Sequence, residues 1–148
     1  MRSMNQRGVT LIELIIVFVI IAIGATLTAP GINAWMPYYR LRSATGDVVS
    51  AMRAAQMRAV SNNLTYRISF DPPNNSFIIQ YQTTGGAWVD DGSTQTLPAG
   101  VVFVTNFGNI ATFSPNSSAT NGNIILNNIK GMTKTIQLLG TTGRIRVG

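Results

Sequence analysis

The sequence predicts an α+β protein in which one long N-terminal helix is followed by an antiparallel β-domain. Three observations carry this. From Val9 to Ala29, 21 residues run without proline, with Gly24 as the only glycine and Glu13 as the only charge. Beyond that run, apolar residues recur at spacings of three and four as far as Ala59, the period of an amphipathic helix. After Asn62-Asn63 the period changes to two, in short runs separated by Gly, Asn and Pro, as in a meander of strands.

Taken in order, the chain opens with a short basic stretch carrying Arg2 and Arg7 and ending at Gly8. As a helix, 9–29 spans about 32 Å at roughly 1.5 Å per residue, enough for a bilayer core, so this half reads as a membrane segment. Pro30-Gly31 interrupts the pattern and predicts a kink, with the helix resuming at Ile32. Over 30–62, Leu41, Ala44, Val48, Met52, Ala55 and Ala59 form the stripe that packs on a core, while Arg40, Asp47, Ala54 and Arg58 fall on the opposite side. Trp35, Tyr38 and Tyr39 stand where an aromatic interface belt is expected just outside a bilayer. Simple packing on the globular part is the alternative.

The β-rich region is 63–148. Leu64, Tyr66, Ile68 and Phe70 alternate with polar residues, Asp71-Pro72-Pro73-Asn74-Asn75 is a turn cluster, and Phe77, Ile79 and Tyr81 return the chain as a hairpin. Gly85-Gly86 turns it again into Ala87-Trp88-Val89. Further strands are predicted at 101–105, 110–114, 123–129, 133–139 and 144–147, with 114–123 as an exposed loop. Such spacing predicts a small antiparallel β-sandwich.

Composition narrows the function. Hydrophobic residues make up 45% but charged residues only 11%, so the soluble part is polar through Asn, Thr, Ser, Gln and Gly, as suits an extracytoplasmic surface. The formal charge is +6, which favours polyanionic or anionic-lipid partners. There is no cysteine and no histidine, hence no disulfide framework and no thiol or imidazole chemistry. Glu13, Asp47, Asp71, Asp90 and Asp91 are too few and scattered for paired-carboxylate catalysis, and adjacent Asp90-Asp91 reads as a solvated loop pair rather than a cation site. The reading is a non-enzyme with no cofactor and no metal.

The specific signal lies at Gly8-Val9-Thr10-Leu11-Ile12-Glu13. A basic leader ends in glycine, an acid stands at the fifth position after it, and unbroken apolar sequence follows. An ordinary secretory signal fits poorly, because Glu13 interrupts its apolar core and Pro30 follows its would-be cut after Leu27-Thr28-Ala29. A plain membrane anchor, with Glu13 near the interface, is the other alternative. The motif resembles the class III signal of type IV pilins and type II secretion pseudopilins. That resemblance implies a leader at 1–8 removed by a prepilin peptidase, cleavage between Gly8 and Val9, N-methylation of Val9, and retention of the helix in the mature protein. It also implies that Glu13 serves filament assembly with other pilin or pseudopilin subunits. Val9 departs from the phenylalanine usual after the cut. Arg40 and Arg42 balance Arg2 and Arg7, so charge alone does not orient the span. The leader resemblance does, placing the chain in the inner membrane as a single-pass protein with its C-terminal domain in the periplasm.

A long helix followed by a β-domain resembles the pilin fold, here of the GspH/FimT type, whose members often end in Gly-Arg-x-Arg as Gly143-Arg144-Ile145-Arg146 does. Residues two apart on a strand share a face, so Arg144 and Arg146 project together about 7 Å apart. Lys130 and Lys134 are expected on the preceding hairpin. These four are the candidate DNA-binding residues, because arginine forks suit phosphate oxygens and the FimT branch includes minor pilins that take up DNA in natural transformation. The alternatives are a solvated strand face or a subunit contact. The expectation is a minor pilin or H-type pseudopilin built into a pilus or type II secretion pseudopilus, at or near its tip. A DNA-binding minor pilin and an anchored periplasmic domain without a filament role are the alternatives.

Overall fold

A computed structural model describes residues 9–105 and 108–148, without the side chains of 27–33 and 105. The chain divides into two compact units, 1–36 and 37–148. Helix α1 (Leu11–Asn62) is followed by nine strands, β1 (Tyr66–Asp71), β2 (Ser76–Gln82), β3 (Trp88–Asp90), β4 (Gln95–Thr96), β5 (Val101–Thr105), β6 (Ile110–Phe113), β7 (Gly122–Asn128), β8 (Thr133–Leu139) and β9 (Arg144–Val147). The break expected at Pro30-Gly31 does not end the helix, which is one element of 52 residues. A proline removes only its own donor and crowds a single preceding turn, a local loss that intact turns on either side absorb.

From Leu14 to Ala25 the helix of the first unit is apolar all round. Leu11, Ile12, Phe18, Ile20 and Ile23 are all more than half exposed, with Leu11 at 78%. Among the described residues no helix is long and apolar enough to cross a membrane. The span expected over 9–29 includes 27–29, whose side chains lie outside the described residues.

In the second unit, all six stripe residues from Leu41 to Ala59 are buried, at most 3% exposed. Ala54, expected on the opposite side, is half-buried and packs against the core. Asn63 closes the helix in the left-handed region (φ 53°), and the Leu64 N–H donates back to the Ala59 carbonyl at 3.3 Å, a six-to-one closure that satisfies a terminal carbonyl. Tyr38 and Tyr39 remain substantially exposed, Tyr39 at 58%, so packing on the globular part does not account for them.

The strands form two antiparallel sheets. One runs β3-β2-β1-β6, with β4 sharing the β3 edge of β2, and the other runs β5-β7-β8-β9. Phe103 of the second sheet meets Phe70 and Phe77 of the first at ring separations of 5.3 and 6.2 Å, which joins both sheets and the helix stripe in one core. The two-residue β4 was not anticipated, since Gln95-Thr96 has no apolar alternation. The 114–121 connection is less exposed than expected, because Ala119 packs on the core and its N–H donates to the Gly140 carbonyl at 2.8 Å. Buried Asn128 is a further unforeseen anchor. Its amide donates to the Pro37 carbonyl at 3.2 Å while its Oδ1 accepts from the Lys130 and Met132 N–H groups, tying the β7–β8 turn to the helix.

Candidate functional site

The helix begins with a capping arrangement that the motif conceals. Thr10 precedes the first helical residue, and its Oγ1 accepts the Glu13 N–H at 3.3 Å, the side-chain-to-third-residue bond of a capping box. Glu13 therefore sits at the positive end of the helix dipole, where a carboxylate is favoured. The carboxylate is exposed and has no hydrogen-bond or ion-pair partner among the described residues. Val9 is 72% exposed, and Gly8 lies outside the described residues. Among the described residues, one unpartnered acid thus heads an apolar helical surface with nothing folded over it.

The basic C-terminal residues separate into two groups. Arg146 is paired with Gln137 and Arg144 with Leu139, while Ile145 is paired with buried Leu138. Arg144 and Arg146 are thus exposed together on the outer face of the second sheet, and no ion pair holds either among the described residues. Lys134 is not with them. It shares strand parity with buried Ile136 and Leu138, and it lines a groove beside Leu41, Arg42 and Val147 on the helix-facing side. Lys130 lies in the β7–β8 turn, near the end of β8 opposite to Leu139 and its partner Arg144. The four candidate cations therefore do not form one patch.

Glycine at the head of the C-terminal motif has a structural reason. Gly143 is buried in the left-handed region (φ 59°), and an added Cβ would overlap the Ser117 carbonyl oxygen and the Gln56 amide. Asp90 and Asp91 are also engaged, the first accepting from Gln80 at 2.7 Å and the second pairing with Arg58 at 2.8 Å.

A long helix with an acid in its first turn leads into a two-sheet domain, and comparison with known proteins gives this architecture a class. The prokaryotic N-terminal methylation motif matches residues 3–29, and the type II transport protein GspH family matches residues 44–143. The fold is similar to the minor pseudopilin EpsH from the Type 2 Secretion System of Vibrio cholerae, with a TM-score of 0.64 at 9% identity over 74% of this chain and 96% of that one. It is also similar to the type IV minor pilin FimU of Pseudomonas aeruginosa, with a TM-score of 0.61 at 16% identity over 75% and 90%. The solution structure of E. coli GspH gives 0.60 at 14% identity over 74% and 88%. No curated protein sequence matches the chain. The chain belongs to the type II transport protein GspH family.

Proposed function

We propose that this chain is a minor pilin or H-type pseudopilin that a prepilin peptidase cuts between Gly8 and Val9, with methylation of the new Val9 terminus. Its apolar helix holds it in the inner membrane with the β-domain in the periplasm until it enters a pilus or type II secretion pseudopilus, at or near the tip. The observation that carries this reading is the unpartnered Glu13 carboxylate at the head of an exposed apolar helix. Such a surface calls for cover by lipid or by the helices of neighbouring subunits. Once neighbours exclude water, the positive Val9 amine of an adjacent subunit is a strong partner for that acid.

Because Glu13 also stands at the third position of the capped first turn, where its backbone N–H meets Thr10 Oγ1, the test must separate charge from helix initiation. Glutamine serves at this box position as glutamate does, so Glu13→Gln keeps the cap and removes the charge. Both Glu13→Gln and Glu13→Ala are expected to be processed and inserted normally but to enter filaments roughly tenfold less often or worse, as truncation of a desolvated charge pair implies. The measurement is the amount of variant in the sheared filament or tip-complex fraction. Normal entry of Glu13→Gln would show that the charge has no part in assembly, and the anchored-domain alternative would gain.

A second reading, DNA binding within the same fold, is favoured by Arg144 and Arg146 sharing one exposed face. If both contact phosphate, Arg144→Gln with Arg146→Gln flattens the slope of log affinity against log salt by about 1.8 on duplex DNA. Lys134→Gln, on the other face, leaves it unchanged. Absence of salt-sensitive binding by the unmodified chain ends this reading.

A further inference from the structure

We infer that the groove between α1 and the end of the second sheet is a docking site for an acidic pilin-type subunit other than a second copy of this chain. The inference rests on the filament-subunit reading above and names the partner surface. The groove has a volume of about 380 Å³ and lies wholly within the second unit. Its walls are Tyr38 and Leu41 from the helix and Val147 from β9, and its two charges are Arg42 and Lys134. Tyr38 is 45% and Val147 50% exposed, so the walls offer apolar area to a partner.

The charges decide what fits. Lys134 is half-buried, and neither it nor Arg42 has an ion pair or side-chain hydrogen bond among the described residues. Arg42 and Lys134 both line this apolar groove, and two like charges on one groove disfavour each other in the free chain. A carboxylate entering between them relieves that repulsion while its neighbours cover the apolar walls. The groove admits a few side chains, and its cations number two. A nucleic-acid backbone needs a longer row, and Arg144 and Arg146 lie on the other face of the sheet from the groove.

Net charge selects among protein partners. Once the leader with Arg2 and Arg7 is removed, nine of the eleven basic residues remain against five acids, so copies of this chain repel each other, whereas an acidic subunit is drawn in. Three of the chain's five acids also serve poorly as occupants, since Asp91 is held by Arg58, Asp90 by Gln80 and Asp71 by Asn74.

The experiment uses the full chain in detergent, titrated with each purified full-length pilin-type subunit of its own assembly machine, with itself, and with phosphatidylglycerol–phosphatidylcholine vesicles. One acidic subunit is expected to bind, and Arg42→Glu with Lys134→Glu is expected to weaken that binding about tenfold or more. Arg144→Glu should leave it unchanged. A photo-cross-linking residue in place of Gly46, where an added Cβ meets nothing within 4 Å, should link to the same subunit. Unfolding curves establish that the charge-reversed chain is folded, and Arg42→Gln with Lys134→Gln is the milder substitute if it is not. Subunit binding that ignores the charge changes, binding confined to a second copy, or binding confined to the vesicles overturns the inference. Incorporation is followed in parallel: a parent chain that never enters filaments sinks the subunit reading itself, whereas a charge-reversed chain that enters as well as its parent sinks the groove alone.

Discussion

Gly8→Val is expected to leave the chain uncut by a prepilin peptidase, with a fall in processing rate of roughly 10²-fold or more. Glycine places no Cβ beside the bond that follows it and allows an extended backbone there at no steric cost. A β-branched side chain stiffens and crowds that bond, and misplacement of a reacting group by about 1 Å is enough for a loss of that size. Co-expression with the peptidase followed by mass spectrometry checks it. The parent should begin at Val9 and carry a methyl group, while the variant should retain residues 1–8. A parent terminus near Pro30, or a parent that the peptidase does not touch, would sink the pilin reading and favour a secretory signal or a plain anchor. Gly8→Ala, with one small side chain, should fall between the two.

The second large effect is structural. Gly143→Ala is expected to destabilise the globular unit by about 2–4 kcal/mol, combining left-handed backbone strain with overpacking. The Gln56 amide is the end of a flexible side chain and can yield. The Ser117 carbonyl cannot do so easily, because Ser117 is itself in the left-handed region (φ 66°) and its N–H donates to the Ser114 carbonyl at 3.0 Å. A midpoint drop of roughly 10–20 °C in thermal unfolding of the full chain in detergent is the expected reading. Gly46→Ala is the control, since Gly46 lies inside α1 with open space around it, and alanine there should stabilise by roughly 0.5–1 kcal/mol. Equal stability of Gly143→Ala and its parent would show that the Ser117 segment moves freely. This contrast separates the parts of Gly143-Arg144-Ile145-Arg146: the glycine holds the fold, Ile145 packs against the core, and the arginines are exposed.

Much of this protein is written in local periodicity. A three-to-four spacing needs only neighbouring turns of one helix to express it, so the stripe from Leu41 to Ala59 is buried as its spacing predicts. Alternation of two likewise belongs to a single strand, which is why β1, β2, β5, β8 and β9 fall where Leu64 to Phe70, Phe77 to Tyr81 and the later runs place them. The leader motif is equally local, a glycine, an acid and an apolar run at fixed spacing. What the chain could not announce depends on pairing across distance. Alternation fixes which residues of β8 share a face and which of β9 do, but only the register Gln137 with Arg146 relates the two, and it sets Lys134 against the helix and the arginines against solvent. Strand β4 exists because the edge of β2 continues past β3, with no help from its own Gln95-Thr96. Asn128 became an anchor because folding brought the Pro37 carbonyl to it across 91 positions, and Gly143 is required because Ser117 comes to lie against it. Each is a contact between segments remote in sequence, where the burial of both partners decides the residue and no short pattern records it.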